Sequence, residues 1–562
     1  MKQLLEQKIR EAIQGLQEAG ALSSFDIPEI KVEYPKDESF GEFTTNIALV
    51  LSKLAGKPPH EIAESIKGSL NIEGVSSIEV AGPGHLNFVC ADSYFRSVLT
   101  KTLSGEGILT KNPEKVLVEY SNPNTHKEFH IGHLRNVFIG NTLVNVMRKT
   151  GNEVIAANYI GDTGTHIGKC LWGLVTLYKD ENFESIGNKA EFLGKVYSEA
   201  QQKIDENPEN EGAFKALQKR FEAGDPELVA LWEKTKQWSL DEFNRIYAEL
   251  RVSFDVFFYE SIEEEAGKKI LPELLEKGIV RESEGAVIAD LEADNLGVLV
   301  LVRSDGSALY GLKDIPLAKK KFEEYKIDRS IYVVDIRQSL YFKQLFKVLE
   351  LYGFHKKMEH VGYEFVALKG GETMSSRKGN IIPAQQLIDD VVARVTKQFP
   401  ESPDAKSIAL GAIRFAMLKH SGASKIEFDI EESVRLDGAT GPYVQYAHAR
   451  IESIREKARV LGFSGEVASD SISFHPKEKE LVRELSKFPE LVLEIAQTNE
   501  VHKLAHYALR IADKFHSFYS ECKVINEEDK ETTENRLYLV SSVQKVLKET
   551  LLLIGIAAPK RM

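Results

Sequence analysis

The sequence contains few cysteines and no long apolar run. Its 562 residues include only Cys90, Cys170 and Cys522, which lie far apart and without a CxxC spacing. This pattern excludes a disulfide framework or a cysteine-built zinc site, and it predicts a reducing compartment. No uninterrupted apolar stretch reaches membrane-spanning length, and the N-terminal residues alternate charged and apolar positions like an amphipathic helix rather than a signal peptide. We therefore expect a cytoplasmic protein without a membrane anchor.

The chain also lacks an excess of positive charge. Its formal net charge of −13 argues mildly against general affinity for nucleic acid, although local basic faces can coexist with it. Hydrophobic residues make up 43% of the chain, which indicates folded protein rather than disorder. A length of 562 residues exceeds what one core usually organises, so we expect three or more domains.

The residue pattern predicts a multidomain α/β fold with three parts. We expect an N-terminal α+β module at residues 1–105 and an all-α bundle at residues 435–562. Between them, residues 106–434 should form a Rossmann-like parallel-sheet domain with a helical insertion at about 180–250. In the first part we expect strands at Ile30–Tyr34 and Ile78–Val80 and a helix at Thr44–Leu54. In the second, the α/β pattern resumes after the insertion with these strands: Asp255–Phe258, Val287–Ala289, Val298–Val302 and Ser330–Val334.

The most informative stretch lies between residues 115 and 141. An apolar strand at 116–118 leads through the turn residues 122–124 to a helix that opens on His130, Gly132 and His133. The free N–H groups of a helix start favour phosphate, and the glycine leaves room for a nucleotide against the backbone. Two imidazoles three residues apart share one helix face and can donate to charge that grows on phosphorus as pyrophosphate leaves. The stretch therefore predicts an ATP site for adenylate transfer.

Two other interpretations of these histidines exist. His126, His130 and His133 could converge on one zinc ion, but His126 precedes the helix and no HExxH arrangement is present. The pair could also be ordinary surface histidines at a helix start. We predict no protein-held metal.

A second motif follows at residues 369–381, which read KGGETMSSRKGNI. A glycine-flanked loop with adjacent cations can close over departing pyrophosphate and reopen to release product. We expect Met374, Ser375 and Ser376 to contact ATP, and Lys378, then Arg377, to supply the catalytic cation. The alternative is a solvated basic turn.

These motifs together resemble those of the arginyl-tRNA synthetases, a family of class I aminoacyl-tRNA synthetases. The block from Ser121 to Asn136 resembles the family's HIGH region, and residues 373–379 resemble its KMSKS loop with both lysines replaced. GPGHLNF at 82–88 and GPYVQYAHARI at 441–451 extend the resemblance over nearly the whole chain. It implies an arginine–tRNA ligase that forms arginyl adenylate and transfers arginine to the terminal adenosine of its tRNA. It also implies a monomer, substrate-associated Mg²⁺ with ATP, and activation of arginine only when tRNA is bound.

The resemblance assigns an arginine pocket. Tyr310 and Asp314, one helical turn apart, and Glu260 would hold the guanidinium, which is planar, permanently charged and best bound by carboxylates beside an aromatic face. Gln338 would hold the α-amino group, and Asn124 would make a polar contact near the same end.

The remaining roles concern ATP and tRNA. Lys127 would lie beside the phosphates, with Gly161 and Asp162 near the adenosine or amino-acid end. Four residues would contact tRNA, namely Asn87 at its elbow and Tyr443, Tyr446 and Met562 near the anticodon. Asn87 would face outward if Leu86 and Phe88 point into the module's core, because strand side chains alternate.

Two other functions fit the sequence less well. A catalytically silent tRNA-binding or amino-acid-sensing paralogue is disfavoured because both histidines, Asp314 and the basic loop are retained. A different HxGH nucleotidyltransferase would leave the C-terminal helical part unexplained.

Overall fold

The computed structural model describes residues 1–105, 107–369, 382–466 and 473–562. By packing, the chain forms two units that each combine distant segments. The first unit comprises Met1–Glu106, Ser453–Phe488 and Asp513–Val546, and the second comprises Gly107–Glu452, Pro489–Ala512 and Leu547–Met562. Within the described ranges, no helix has the length and apolar character needed to cross a membrane.

The N-terminal part is a small α+β arrangement, as predicted. Its elements are α1 (Lys2–Glu18), β1 (Phe43–Thr45), α2 (Ile47–Ala55), α3 (Pro59–Gly68), β2 (Val75–Ala81), β3 (His85–Cys90) and α4 (Asp92–Ser104). The strands form an antiparallel sheet in the order β1-β3-β2. Helix α1 buries Leu5, Ile9 and Ile13, whose helical spacing carried the prediction.

Two N-terminal assignments are corrected. The predicted strand Ile30–Tyr34 makes only an isolated bridge, from Glu33 to Thr44. The predicted helix Thr44–Leu54 begins later, because Thr44 and Thr45 pair with β3 before the helix starts.

The second unit contains the large sheet. The strands of this unit, which belong to several sheets, are β4 (Lys115–Glu119), β5 (Glu153–Ile160), β6 (Val256–Tyr259), β7 (Arg281–Ser283), β8 (Ala286–Leu291), β9 (Gly297–Val302), β10 (Arg329–Asp335), β11 (Lys357–Tyr363), β12 (Val366–Leu368) and β13 (Ile426–Phe428). Its first eleven helices are α5 (Ile131–Lys149), α6 (Thr165–Thr176), α7 (Lys189–Glu206), α8 (Pro208–Glu222), α9 (Pro226–Glu249), α10 (Glu260–Glu276), α11 (Tyr310–Glu324), α12 (Ser339–Leu351), α13 (Ala384–Gln398), α14 (Ala405–Leu418) and α15 (Ile430–Ser433).

The predicted parallel sheet is confirmed. Its five strands are ordered β11-β10-β4-β5-β6, and every neighbouring pair is parallel. The apolar run Val116–Val118 of β4 is buried, as a central parallel strand requires. Along the chain, β5 and β6 are added on one side of β4, and β10 and β11 are then added on its other side. The direction of winding therefore switches between β4 and β10, where open α/β sheets bind ligands.

The helical insertion is also confirmed and has clear start signals. Asn188, Asn207 and Asp225 cap α7, α8 and α9 through their side chains, and a proline occupies the first turn of α8 and α9. The three helices bury apolar residues against α6.

Strands β8 and β9 are not part of the parallel sheet, contrary to the sequence analysis. They join β7 in an antiparallel sheet ordered β7-β8-β9. Glu284 and Gly285, both with positive φ, form the two-residue turn between β7 and β8. Strands joined by such a two-residue turn pair antiparallel, whereas a βαβ crossover joins parallel strands.

The C-terminal part is helical, as predicted. It contains α16 (Gly441–Val460), α17 (Pro476–Ser486), α18 (Phe488–Thr498), α19 (His502–Glu521) and α20 (Lys530–Leu553), and no strand occurs in the parts of 435–562 that the structure describes. The last residues return to α16, where Gln445 Nε2 donates to the carbonyl of Ala557 at 2.9 Å.

Candidate active site

The predicted ATP- and arginine-binding residues that the structure describes follow the carboxyl ends of four parallel strands or lie on helix α11. The loop 120–130 follows β4, Gly161 follows β5, Glu260 follows β6 and Gln338 follows β10. Parallel strands end on one edge of a sheet, so the topology places these loops at the same edge.

The loop after β4 is fixed to the end of β5. Gly161 N donates to the carbonyl of Pro123 at 3.0 Å, and Thr125 N donates to the carbonyl of Gly161 at 2.9 Å. A Cβ at position 161 would lie 2.1 Å from Asn124 Oδ1. Glycine is therefore required there for the close approach of Asn124.

His126 belongs to the scaffold of this loop. Its Nε2 and Nδ1 lie 2.7 and 3.1 Å from the hydroxyls of Thr235 and Thr125, and its backbone N donates to Ser239 Oγ. Burial, aided by the charge of Lys236, lowers the pKa of His126 to about 3. Both ring nitrogens thus contact protein hydroxyls. Among the residues whose placement is described, no group of three or more His, Cys, Asp or Glu side chains could hold a metal ion.

His130 and His133 form a reciprocal cap at the start of α5. Gly132 N donates to His130 Nδ1 and His130 N donates to His133 Nδ1, both at 3.1 Å, and the ring centroids are 3.9 Å apart. Burial is the largest cause that lowers both pKa values, to about 4 for His130 and well below the ordinary range for His133. The rings are therefore neutral near pH 7, and since each Nδ1 accepts a bond, the proton sits on Nε2. The site thus contains two neutral Nε2–H donors.

Two further groups accompany this pair. The Lys127 ammonium lies 5.3 Å from the ring centroid of Tyr197, and its charge contributes to the lowered pKa of both capping histidines. The other group is His166, which has no predicted role and whose Nε2 is buried without a partner among the described residues. Burial, then Lys127, lowers its pKa well below the ordinary range, so it is a third neutral imidazole.

Asp314 provides an unpaired carboxylate oxygen. The hydroxyl of Tyr341 donates to its Oδ2, while its Oδ1 is buried and has no hydrogen-bond partner in the described chain. Burial, opposed by the Tyr341 hydrogen bond, raises the pKa of Asp314 to about 7. A buried acceptor without a donor is costly, which favours a cationic ligand at this position.

Glu260 lies close to the same carboxylate and is only partly neutralised. Thr163 Oγ1 donates to its Oε2 at 3.1 Å, and Lys313 Nζ lies 3.8 Å from Oε2 but 3.0 Å from Glu264. Burial raises the pKa of Glu260 against the opposing charge of Lys313.

A buried ion pair lies beneath this pocket. Lys321 Nζ is 2.6 Å from Glu119 Oε2, and both side chains are almost fully buried. Around Asp314, the charges that act on its carboxyl group are the carboxylates of Glu119 and Glu260 and the single ammonium of Lys321. The surplus is negative, as a guanidinium site requires.

Three other residues predicted to bind arginine or ATP range from exposed to fully buried. Tyr310 begins α11 and is 58% exposed overall, while burial around its hydroxyl, then Glu260 and Asp314, raises its pKa to about 12. Gln338 is exposed after β10. Asp162 is fully buried and accepts from Ser261 N and Oγ at 2.8 and 2.7 Å, so its carboxylate fixes the start of α10.

Arg135, for which the sequence predicts no role, lies on α5 just after the histidine pair. Its buried guanidinium donates to the carbonyls of Glu364, Ser421 and Ser424. Burial lowers its pKa to about 10. It ties α5 to the segments that lead into β12 and β13.

The residues of the second motif, Met374, Ser375, Ser376, Arg377 and Lys378, lie outside the described residues.

The expected exposure of Asn87 is corrected. It is 4% exposed and accepts a hydrogen bond from Thr44 Oγ1 at 2.7 Å, because β3 is the central strand and the opposite strand supplies a polar partner. Tyr443 and Tyr446 are half-buried on α16 rather than exposed, and Met562 is half-buried. The proposed tRNA contacts of these residues stay predictions.

The chain matches three protein families along its length. Residues 95–430 match "tRNA synthetases class I (R), catalytic domain", residues 444–562 match "DALR anticodon binding domain", and residues 3–90 match "Arginyl tRNA synthetase N terminal domain". Similar full-length proteins include the arginine–tRNA ligases of Bdellovibrio bacteriovorus, 35% identical over 96% of this chain and 95% of that protein, and Clostridium perfringens, 34% identical over 94% and 96%. Among solved structures, Thermus thermophilus arginyl-tRNA synthetase has a TM-score of 0.80 at 28% identity and covers 100% of both chains. The Plasmodium falciparum enzyme shares the fold with a TM-score of 0.81 at 24% identity, over 100% of this chain and 99% of that chain.

Proposed function

Because the chain belongs to the arginyl-tRNA synthetase family, we propose that it is an arginine–tRNA ligase. It activates L-arginine with ATP to arginyl adenylate and then transfers the arginyl group to the 3′-terminal adenosine of arginine tRNA. The α-carboxylate of arginine is already ionised at neutral pH, so activation needs no general base. The site therefore works by positioning the reactants and stabilising charge.

The observation that carries this proposal is the unpaired Oδ1 of Asp314 within a pocket of surplus negative charge. A guanidinium supplies the missing donor and the missing positive charge together. Glu260 offers a second carboxylate, and the exposed ring of Tyr310 offers a face for the planar group. In this proposal Asn124 and Gln338 hold the α-amino end.

The histidine pair supplies the transition-state donors. His130 and His133 present neutral Nε2–H groups at the start of α5, and they donate to the α-phosphate as negative charge accumulates. Gly132 keeps this helix start accessible, and Lys127 lies beside the phosphates. Gly161 and Asp162 lie at the adenosine or amino-acid end, where Asp162 acts through the position of α10.

The remaining ATP contacts are proposed for the second motif, where Met374, Ser375 and Ser376 bind the nucleotide and Lys378 or Arg377 supplies the cation. Mg²⁺ accompanies ATP as its phosphate-bound counterion. We place the enzyme in the cytoplasm, where ATP and tRNA are available. We also propose that it is a monomer, as the family resemblance implies.

The tRNA is proposed to span three domains, at 1–105, 106–434 and 435–562. Residues 1–105 bind the tRNA elbow, and the buried Asn87 acts there through its hydrogen bond with Thr44 inside the module. Tyr443, Tyr446 and Met562 belong to the anticodon-binding domain. Both tyrosines are half-buried rather than fully buried, and an unpaired base stacks on the accessible part of an aromatic ring.

Aminoacylation of total tRNA, with each of the common amino acids supplied separately, tests this proposal. We expect charging with arginine alone, and its loss in His130→Ala. Charging with another amino acid would refute the substrate assignment. No charging at all, combined with retained tRNA binding, would identify a catalytically silent paralogue.

A further inference from the structure

Tyr159 lies at the arginine end of the site and has no role in the proposal above. It is the penultimate residue of β5, paired in parallel register with Phe258 of β6. Its ring packs against an apolar cluster that includes Ala157, Phe258 and Leu317 of α11. The sheet and α11 thus fix the ring from two sides.

The hydroxyl at the end of this ring is unsatisfied. Within the described chain, the Tyr159 hydroxyl oxygen is buried and has no hydrogen-bond partner, and the same is true of Asp314 Oδ1. By contrast, the neighbouring Asn158 points to the other face of the sheet, where its Nδ2 donates to Tyr247 at 3.0 Å. A buried polar atom without a partner needs an explanation, and a bound ligand that supplies the missing hydrogen bond is one.

The surroundings of this hydroxyl define the chemistry of that ligand. Burial, then the charges of Asp314, Glu260 and Glu119, raises the pKa of Tyr159 well above its ordinary value. The phenol therefore stays protonated inside an acidic pocket, and its lone pairs can accept from a cationic donor. A guanidinium carries five N–H donors in a planar fork and can reach more than one acceptor at once.

We propose that Tyr159 is a specificity-determining residue, whose hydroxyl oxygen accepts a hydrogen bond from the substrate guanidinium beside Asp314. This assignment rests on the proposed function. The fork of arginine satisfies both Asp314 Oδ1 and the Tyr159 oxygen, whereas an amino acid that ends in a shorter ammonium side chain leaves the phenol unpaired. A buried polar group left unpaired is the basis on which such sites reject analogues.

Tyr159→Phe tests the assignment, with Tyr325→Phe as its matched control. Tyr325 packs against the same apolar cluster but lies just beyond the last turn of α11. Calorimetry would give the Kd of L-arginine, competition would give the inhibition constant of L-ornithine, and ATP KM and thermal melts would report on the rest of the protein. In Tyr159→Phe we expect the arginine Kd to rise about tenfold or more, the loss of one hydrogen bond to a charged group. Ornithine binding and ATP KM should hold, and the melting temperature should not fall, because an unsatisfied hydroxyl has been removed.

Other outcomes separate the alternatives. An arginine Kd within about twofold of wild type would overturn the assignment, as would equal weakening of arginine and ornithine, which indicates a packing role. Weakening of arginine in Tyr325→Phe would also overturn it. If wild type bound no arginine under the same conditions, the proposed function itself would fail.

Discussion

Asp314→Asn should weaken arginine binding strongly and yet stabilise the empty protein at alkaline pH. Asparagine keeps the shape of the side chain but removes the charge that faces the guanidinium. The loss of a buried charge pair costs about 3 kcal/mol, or roughly 150-fold in the arginine Kd. The KM of ATP should hardly change, because the carboxylate belongs to α11 whereas the two histidines proposed to serve the phosphates cap a different helix, α5.

The stability effect follows from the raised pKa of Asp314, about 7 in the fold against an ordinary 3.8. Between these values the folded protein keeps a proton that the unfolded chain has released, so stability falls as pH rises from about 4 to 7. The cost is complete above pH 7 and reaches at most about 4 kcal/mol, at about 1.36 kcal/mol for each pH unit. Asparagine cannot ionise and avoids this cost. The variant should therefore gain stability over wild type across that window.

Urea unfolding at several pH values and calorimetric titration with arginine measure both effects. Asp290→Asn is a suitable control, because the Arg281 hydrogen bond lowers the pKa of Asp290 and its contribution is lost as pH falls, with the opposite sign. Tyr341→Phe removes the hydrogen bond that lowers the pKa of Asp314, so the decline of arginine affinity on acidification should begin at a higher pH. A pH-independent stability difference, or an unchanged arginine Kd, would refute the reasoning.

Three further predictions concern catalysis and folding. His130→Ala and His133→Ala should each slow arginine activation by roughly 10²–10³ with the fold intact, and near-wild-type rates in both would remove them from the chemistry. ATP–pyrophosphate exchange with arginine should be negligible alone and clear once arginine tRNA is added, since the altered second motif fits a site that a second ligand completes; equal rates would disprove this. Arg483→Met should destabilise the first unit by about 3–5 kcal/mol, because the almost fully buried Glu42 carboxylate loses the guanidinium 2.6 Å away and keeps the hydrogen bond from Cys90 N without a compensating charge. Glu42→Gln should cost less, and urea unfolding that ranks the two variants in reverse would contradict this reasoning.

Much of the fold could be predicted from periodicity and turn chemistry. The strand at Val116–Val118, the helix from His130 and the strand at Glu153–Tyr159 lie where the sequence placed them, since a buried parallel strand and its crossover helix carry strong local patterns. Strands β8 and β9 were assigned to the wrong sheet because an apolar strand pattern does not specify its partner. Strand alternation predicts that Asn87 faces outward, opposite Leu86 and Phe88. Alternation cannot reveal that Thr44 donates a hydrogen bond to this side chain and so allows it to be buried within the module.

Within the site, the residues that the sequence does not reveal are those whose side-chain direction has no local signal. Tyr159, Tyr341 and His166 lie on a strand and two helices. Tyr159 and His166 flank the assigned residues Gly161 and Asp162, but the sequence does not show which way their side chains point. They become part of the pocket only when β5, α12 and α6 pack around Asp314 and Lys127.

The sequence by itself determined the local chemistry of this protein. Both imidazoles, and the backbone N–H groups that donate to their Nδ1 atoms, lie within residues 130–133. Four adjacent residues therefore specify the capped helix start. The tertiary structure decided the charge states, because burial keeps these imidazoles neutral and raises the pKa of Asp314 to about 7. A pKa depends on desolvation and on charges brought together from distant parts of the chain. Such quantities arise only when the sheet, α11 and α12 enclose the site.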